Sequence, residues 1–301
     1  VGDDALEITQ PLKSGQIVLL ENLRFHEEEK AGDEFFAGQL AENGDVYIND
    51  AFGTAHRAHA STAVIARFFH ENKAFGLLLQ GEIEALSKVM TEPSRPLLAI
   101  IGGAKVSSKL AILENLVDKV DRLMIGGGMA YTFVLAQGGR VGNSLVEEDM
   151  VGRAAGILEK AAASGVEVYL PLDSVCADKF ADNANVAVHA TSEIPDGWMG
   201  LDIGPASSER FADAVRTSKT ILWNGPMGVF EFEAFSNGTF TVASALKDAT
   251  IGGAYTLVGG GDSVAAINAA GLADDVSYIS TGGGAMLEYL EGEELPGIAA
   301  I

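Results

Sequence analysis

Four apolar runs in this chain end in clusters of glycine, and each cluster precedes a segment with a helical pattern. The runs cover residues 97–101, 123–125, 255–258 and 276–281. Apolar runs of this kind are typical of buried strands, and strands that alternate with helices form parallel sheets. The carboxyl ends of parallel strands meet at one edge of a sheet, where ligands collect. The pattern therefore predicts an α/β fold with glycine-rich loops along one rim.

The first of these loops also carries two lysines. Lys105 and Lys109 lie four residues apart, directly after Gly102 and Gly103. We expect both ammonium groups on one face of the helix that follows. Because cations in a first turn oppose the helix dipole, we expect an anion there, and two lysines beside open backbone N–H groups suit a polyphosphate. An ordinary strand-to-helix turn with solvated lysines is the alternative.

Two common nucleotide-binding motifs are missing from the sequence. No G-x-x-x-x-G-K-[ST] occurs, and the segment that begins at Gly126 lacks the last glycine of G-x-G-x-x-G because Tyr131 stands there. A P-loop is therefore excluded. A dinucleotide-dependent oxidoreductase becomes a minor alternative.

Composition limits the partners and the compartment. The 301 residues carry a net charge of −22, which argues against nucleic acid or an anionic membrane as a general partner. Any anionic ligand must therefore meet a local group of Lys and Arg. Cys176 is the single cysteine, so the chain forms no internal disulfide and suits a reducing compartment. The sequence contains no apolar run of membrane-spanning length and no signal peptide at its start.

The pattern along the chain predicts two strand-bearing blocks. We expect strands at 16–20 and 45–50 and a helix at 33–42 in the first block. A helical pattern at 81–90 stops before Pro93 and Pro96 and is a candidate connector. In the second block, helices alternate with strands that we expect near 97–101, 122–125, 166–170, 219–223, 254–258 and 276–280. This alternation predicts a doubly wound sheet.

Seven motifs, spread in order over the whole chain, resemble those of the phosphoglycerate kinase family. They read LENLRF at 20–25, DAFGTAHRAH at 50–59, GGAK at 102–105, LDIGP at 201–205, WNGPMGVFE at 223–231, GGDS at 260–263 and STGGG at 280–284. The resemblance implies reversible phosphoryl transfer from 1,3-bisphosphoglycerate to ADP, which gives ATP and 3-phosphoglycerate in glycolysis, with Mg²⁺ on the nucleotide. Such a reaction asks the protein chiefly for positioning and charge neutralisation.

The resemblance also implies two doubly wound parallel-sheet domains joined by a helix. We expect the phosphoglycerate domain in residues 1–78, the connecting helix in 79–94, the nucleotide domain in 95–279, and a segment that returns towards the first domain in 280–301. The family's Asp-x-Asn and His-x-x-Arg motifs occur nowhere in the chain, and Val1 is not a start methionine. We therefore expect the first domain to be incomplete and a segment to precede it.

Site residues follow from the resemblance, position by position. Lys105 is similar to the family's lysine at the transferring phosphoryl group, and Lys109 to the lysine that holds nucleotide phosphates. Asp262 corresponds to the Mg²⁺ aspartate, Ser263 to its neighbour on the phosphates, and Glu231 to the ribose-binding glutamate. The remaining expected nucleotide-site residues are Gly103, Ala104, Gly127, Gly204, Asn224, Pro226, Gly260 and Gly261, and Gly261 and Gly283 are also expected to be catalytic.

Arg24 and Arg57 are similar to the guanidinium groups that hold the phosphoglycerate. Three structural alternatives stay open beside these roles. Arg24 could pair with Glu27 or Glu28, and Asp262 could only cap its helix. We expect His56 and His59 to be structural hydrogen-bonding residues and not acid–base catalysts, since this reaction needs no proton shuttle.

These motifs leave two hypotheses about the function. The first is a cytoplasmic, monomeric phosphoglycerate kinase with neither nucleic acid nor membrane as a partner. The second is a nucleotide-binding fragment without catalytic activity, which applies if the 301 residues are the whole molecule.

Overall fold

The computed structural model describes residues 1–301. Its strands are β1 Tyr47–Asn49, β2 Lys73–Phe75, β3 Leu97–Ile101, β4 Arg122–Ile125, β5 Arg140–Val141, β6 Glu167–Tyr169, β7 Asp173–Ala177, β8 Val186–Ala190, β9 Glu193–Ile194, β10 Met199–Ile203, β11 Thr220–Asn224, β12 Tyr255–Val258 and β13 Tyr278–Ile279. Its α-helices are α1 Asp3–Thr9, α2 Glu27–Ala31, α3 Glu34–Ala41, α4 Leu77–Met90, α5 Leu110–Leu116, α6 Met129–Ala136, α7 Val151–Ala163, α8 Pro205–Arg216, α9 Asn237–Ile251, α10 Gly261–Ala269, α11 Gly284–Glu291 and α12 Pro296–Ala299.

The chain divides into two compact units. Unit 1 consists of residues 1–84 together with 284–301, and unit 2 consists of residues 85–283. Both contain helices and parallel strands, so the expected α/β class is confirmed. The functional domain boundaries given above stay predictions.

Unit 2 is built on a parallel sheet of six strands in the order β13-β12-β11-β3-β4-β6. These are the six strands expected from the apolar runs, and that prediction is confirmed. All residues of β3 and β11 are buried, as expected for central strands covered on both faces. The chain proceeds from β3 to one side and then returns to β11 on the other. The strand order therefore reverses between β3 and β11, where a doubly wound sheet opens a crevice for ligands.

Helices α8 and α9 cover the β11 side of the sheet with a continuous apolar core. Trp223 of β11 and Phe211 of α8 are fully buried in it, and their neighbours there include Met227, Leu246 and Ile267. Complete burial of such large side chains contributes about 1.5–3 kcal/mol each. This packing gives the crevice a rigid base.

Two small sheets in unit 2 were not predicted. Strands β10, β7 and β8 form an antiparallel sheet, and β5 pairs in parallel with β9. Residues 201–203 belong to β10, but the sequence indicated them only as part of a motif. The edge strand β8 alternates exposed and half-buried residues and has no apolar run that would predict it. A register shift between Gly200 and Asp202 marks a bulge where β10 faces β7.

Unit 1 contains one parallel strand pair, β1 with β2, packed with helices. The expected strand at 45–50 and helix at 33–42 are confirmed as β1 and α3, and Asp33 caps α3 by accepting from Phe36 N–H at 2.8 Å. The expected strand at 16–20 is wrong, since this segment has no regular structure. Ile17 and Leu19 are 93% and 95% exposed and the segment pairs with no strand, although Leu20 at its end packs against the core of unit 1.

Helix α4 begins earlier than the pattern indicated, at Leu77, and ends at Met90 as expected. Its start is set from outside the helix, because Asp50 accepts hydrogen bonds from the N–H groups of Leu78 and Leu79 at 2.7 and 3.0 Å. A cap that comes from a residue distant in sequence leaves no local signal.

None of the helices combines the length and the apolar character that crossing a bilayer requires.

Candidate active site

A cavity of about 530 Å³ lies at the carboxyl edge of the six-stranded sheet in unit 2. The loops after β3, β4, β11 and β12 reach it, as expected for the crevice of a doubly wound sheet. Six residues expected in the nucleotide site line it: Gly103, Ala104, Gly127, Pro226, Glu231 and Asp262. The structure therefore brings together residues from three of the seven motifs and from the glycine cluster that follows β4.

Glycine is required where these loops meet. A Cβ on Gly102 would lie 2.1 Å from the carbonyl oxygen of Pro226, and one on Gly127 would lie 2.5 Å from that of Gly103. Gly127 also has a φ of +70°, which side-chain-bearing residues rarely adopt. The glycine clusters thus allow three backbone segments to approach one another below the cavity.

One side of the cavity is an apolar wall that the sequence did not predict. It consists of Leu145, Phe180, Met199, Leu201 and Val229. Phe180 is 61% exposed and contacts Phe232 with ring centroids 5.3 Å apart. Exposed apolar side chains beside a polar rim are typical of ligand pockets. These residues come from dispersed segments, so only the fold could reveal that they form one surface.

Gly204 was expected beside the adenosine, but the structure places it outside the cavity lining. Gly200, on the same strand segment, lines the cavity instead. Gly204 is buried beside Asp173, whose carboxyl carbon would lie 2.3 Å from an added Cβ. That carboxylate accepts from the N–H groups of Ala206 and Ser207 at the start of α8. The glycine in this motif therefore has a structural explanation.

The two lysines do not share a helix face, so that prediction is wrong. Helix α5 begins only at Leu110, Lys109 is its N-cap residue, and Lys105 lies in the preceding loop. We call residues 102–109 the lysine loop. Gly103 has a φ of +118°, and Lys109 N–H donates to the Val106 carbonyl at 2.9 Å, which makes a turn where the helix was expected. Lys105 is exposed and Lys109 is half-buried.

Asn224 joins two of the loops from below. Its Oδ1 accepts a hydrogen bond from Lys109 Nζ, and its Nδ2 donates to the Gly259 carbonyl at 3.0 Å. Ser263 Oγ likewise accepts from Gly225 N–H at 2.5 Å. Both side chains are completely buried and neither lines the cavity. They fix the loops on which the expected ligand-binding residues stand.

Asp262 is the second residue of α10, exposed and without a hydrogen bond or ion pair. The N-cap residue is Gly260, which has a φ of +88°, and no side chain caps this helix. The alternative in which Asp262 is only a cap is therefore wrong. The structure contains no group of three or more His, Cys, Asp or Glu side chains that could hold a metal ion. A cation at Asp262 would thus need most of its ligands from a bound molecule.

Gly261 is the exposed first residue of α10, and Gly283 is an exposed residue with a φ of +47° and free space around its Cβ position. Neither lines the cavity. Their expected catalytic roles therefore stay predictions, and they would depend on backbone N–H groups alone.

In unit 1, Arg24 and Arg57 are both exposed, and neither guanidinium forms an ion pair. The alternative in which Arg24 pairs with Glu27 or Glu28 is therefore wrong. Both arginines affect the pKa of His59. Burial is the main cause that lowers this pKa, and the charge of Glu29 opposes it. The positive charges of Arg24, Arg57 and Lys30 lower it further. The two guanidinium groups thus belong to one positively charged region.

His56 and His59 are not the hydrogen-bonding residues that we expected. His56 Nδ1 is buried without a hydrogen-bond partner, and its Nε2 lies 3.9 Å from Glu288. His59 Nδ1 lies 3.9 Å from Glu29. Burial chiefly lowers the pKa of His56, with Glu288 opposing and Arg57 adding to the shift. Burial therefore disfavours the charged form of both rings.

Glu29 ties the segment of Arg24 to the loop of Arg57. Its carboxylate is 3% exposed and accepts from Ser61 N–H at 3.0 Å and from Ser61 Oγ at 2.6 Å. Arg24 precedes α2, on which Glu29 lies, and Ser61 ends the segment that contains Arg57. These bonds hold the two cationic segments in one arrangement.

We expect Glu29→Ala to lower the free energy of unfolding of unit 1 by about 1–2 kcal/mol, because it leaves two half-buried donors of Ser61 without an acceptor. Urea unfolding measures this change, and hydrogen exchange at residues 57–61 localises it. Glu28→Ala is the matched control, since Glu28 is exposed and its side chain forms no hydrogen bond. Equal losses in the two variants would contradict the assignment.

A buried carboxyl group lies below the cavity loop that follows β11. Asp202 accepts from Gly238 N–H at 2.7 Å and from Ile203 N–H at 2.9 Å. Burial raises the pKa of Asp202 to about 7, although these two N–H groups lower it in part. The folded protein therefore keeps a proton that the unfolded chain releases near pH 4. Its stability should fall as pH rises from about 4 to about 7.

We expect Asp202→Asn to remove this dependence. Between pH 5 and pH 8, the stability of the wild type relative to the variant should fall by about 2–3 kcal/mol, since each pKa unit corresponds to about 1.4 kcal/mol. Urea unfolding of both proteins at the two pH values gives this difference. If the free energies of unfolding of the wild type and the variant changed equally with pH, Asp202 would be ionised in the folded state over this whole range.

Comparison with known proteins identifies the family of this chain. Residues 1–293 match the family model described as phosphoglycerate kinase. The chain is 53% identical over 301 residues to the phosphoglycerate kinase of Chloroherpeton thalassium and 54% identical to that of Thermosynechococcus vestitus, all of it aligned with 76% and 75% of those proteins. The structure of phosphoglycerate kinase from Coxiella burnetii superposes with a TM-score of 0.91 at 45% identity, covering 95% of this chain and 72% of that one. The chain belongs to the phosphoglycerate kinase family.

Proposed function

We propose that the protein moves a phosphoryl group reversibly between 1,3-bisphosphoglycerate and ADP, which yields ATP and 3-phosphoglycerate. The observation that carries this proposal is the cavity at the switch point of the six-stranded sheet, which joins an apolar wall to glycine loops and a lysine loop. An apolar wall suits the flat face of a nucleobase, and the loops offer backbone N–H groups to phosphates. Family membership makes the protein an ATP-dependent kinase.

Within the cavity we assign the adenosine to Gly127, Pro226 and the apolar wall, and the ribose hydroxyls to Glu231. Glu231 supports this role because it is exposed at the cavity rim and forms no hydrogen bond within the protein. Asn224 and Gly204 take indirect roles in this proposal, because neither contributes to the lining.

The phosphates would lie beyond the ribose, against residues 103–105 and 260–263. In the proposal Lys109 holds the nucleotide phosphates from its fixed place beside Asn224. Lys105 neutralises the transferring group, and its ammonium group is available because it forms no hydrogen bond or ion pair. Neutralising charge on a phosphoryl group in transfer is the main demand of this chemistry.

The residues fit a magnesium ion carried by the nucleotide. Mg²⁺ is usually held by one or two carboxylates together with phosphate oxygens and water, and Asp262 offers an exposed carboxylate at the cavity, beside the glycine loop that follows β12. The ion would supply charge neutralisation to the phosphates when bound. Asp262 would orient it from the first turn of α10.

Arg24 and Arg57 would bind the phosphoglycerate, since planar guanidinium groups match phosphate and carboxylate in a bidentate way. In this proposal, residues 1–78 serve the phosphoglycerate, 95–279 serve the nucleotide, 79–94 connect them, and 280–301 return towards the first domain. We also propose that the protein acts as a monomer in the cytoplasm, a compartment that the single buried thiol of Cys176 suits.

The test is acceptor-dependent turnover. The purified protein with MgATP should release ADP only when 3-phosphoglycerate is added, as followed by a coupled assay that oxidises NADH, while calorimetry should detect MgADP binding. Binding of MgADP without any turnover would favour the nucleotide-binding fragment instead. Release of ADP that does not depend on 3-phosphoglycerate would contradict the proposed acceptor.

A further inference from the structure

A carboxylate from outside the lysine loop holds that loop in place. Glu147 accepts hydrogen bonds from Ser107 N–H at 3.0 Å and from Ser107 Oγ at 2.5 Å. The backbone N–H of Val106 donates to the same carboxyl group. Hydrogen bonds to an ionised acceptor are about twice as strong as neutral ones. The two residues that follow Lys105 are therefore both fixed from one point.

Glu147 is itself held firmly. Its N–H donates to Oγ1 of Thr132, a buried residue of α6, at 3.1 Å. On the other side of the contact, Val106 is fully buried and anchors the lysine loop. The hydrogen bonds of Glu147 thus connect α6 to the loop that carries Lys105.

The same short segment also contributes to the cavity. Asn143 and Leu145 line it, and Glu147 follows two residues later. Residues 143–147 therefore touch both the cavity and the lysine loop.

The surroundings of Glu147 favour the charged form of its carboxyl group. Partial burial raises the pKa of Glu147, but the hydrogen bonds from Ser107 and Val106 and the charge of Lys105 outweigh it, so the pKa lies below the usual range for glutamate. Lys105 is close enough to contribute to this shift, yet it forms no ion pair with Glu147. Its ammonium group thus stays available to a ligand.

We propose that Glu147 is a positioning residue that sets the lysine loop so that Lys105 meets the transferring phosphoryl group. This inference rests on the proposed function, because it requires Lys105 to act in the reaction. Glu147 acts only through Ser107 and Val106 and does not itself contact the nucleotide. A cation that is already in place avoids reorganisation during the reaction, which is where electrostatic catalysis gains most.

The test compares Glu147→Gln with Glu148→Gln in steady-state kinetics. Glutamine keeps the size of the side chain but loses the negative charge, which weakens the hydrogen bonds from the Ser107 and Val106 N–H groups. We expect kcat to fall roughly 10- to 100-fold, with KM for MgADP within about threefold of the wild type. Glu148 is exposed and its side chain forms no hydrogen bond, so its variant should keep the wild-type kcat. Glu147→Asp, which keeps the charge, should recover part of the loss.

A second measurement separates positioning from a general structural effect. In a Lys105→Ala background, Glu147→Gln should lower kcat by less than about twofold, because no ammonium group remains to be positioned. If Glu147→Gln lowered kcat by the same factor in the wild-type and in the Lys105→Ala backgrounds, the inference would be overturned. If Glu147→Gln does not fold, Ser107→Ala, which removes only the hydroxyl bond, should show the same direction and the same dependence on Lys105.

The Lys105 and Glu147 variants distinguish a failure of the proposed function from a failure of the positioning role. A wild-type kcat in Lys105→Ala would refute the proposed role of Lys105 and thus the proposed function of the lysine loop. An impaired Lys105→Ala beside an unimpaired Glu147→Gln would refute only the positioning role.

Discussion

Lys105→Ala should lower kcat by roughly 10²- to 10³-fold while nucleotide binding changes by only a few fold. The ammonium group is exposed in the lysine loop and has no partner within the protein, so its removal leaves the folded structure unchanged. Loss of one preorganised contact to a charge that develops in the transition state typically costs about 3–4 kcal/mol. Coupled assays give kcat, and calorimetry gives Kd for MgADP.

The controls for this prediction use two other lysines. Lys109→Ala should raise Kd for MgADP more clearly than Lys105→Ala does, because Lys109 is fixed beside Asn224 at the phosphate loops. Lys219 is exposed and lies just before β11, at the opposite end of that strand from the cavity, so Lys219→Ala should be silent. A kcat for Lys105→Ala within a few fold of the wild type would refute its assigned role.

Asp262→Asn should lower kcat/KM for the magnesium nucleotide by roughly 100-fold, since metal-mediated charge neutralisation contributes several kcal/mol to such reactions. The structure predicts little loss of stability, because Asp262 forms no hydrogen bond and Gly260 is the N-cap residue of α10. A carboxylate in the first turn contributes only about 0.3–1 kcal/mol through the helix dipole. Raising the Mg²⁺ concentration should restore part of the activity.

Asp274→Asn is the matched control for the metal site. Asp274 is also an exposed aspartate in the first turn of a short helix of unit 2, the 3₁₀ turn Ala273–Asp275, and it forms no hydrogen bond. Its variant should keep both activity and dependence on Mg²⁺. If Asp262→Asn lost stability in proportion to activity, a structural role of Asp262 would account for the result better than a metal site.

The six-stranded sheet could be predicted because its strands are continuous apolar runs that end in glycine. The strand expected at 16–20 shows the limit of the same reasoning, because an apolar segment becomes a strand only where another strand offers hydrogen bonds. Ile17 and Leu19 have no such neighbour and are almost fully exposed.

The candidate site was predictable where a motif supplies both the loop and the functional group. Gly103, Gly127, Pro226 and Asp262 meet at one cavity for this reason. The start of α5 was not predictable, because it depends on a positive φ at Gly103 and on hydrogen bonds to Glu147, which lies 40 residues away in sequence. The apolar wall was missed because its members share no periodicity and become neighbours only through the antiparallel sheet.

The antiparallel sheet and the parallel sheet contribute different parts of the cavity. Met199, Gly200 and Leu201 of β10 reach the cavity from that sheet, whereas the lysine loop and Asp262 follow strands of the parallel sheet. If the wall binds the base as proposed, mutations in it would change which base is accepted without moving the groups assigned to phosphoryl transfer. Under the proposed function, substitutions in β10 should therefore alter nucleotide preference more than the rate of phosphoryl transfer, since the two depend on separate sheets.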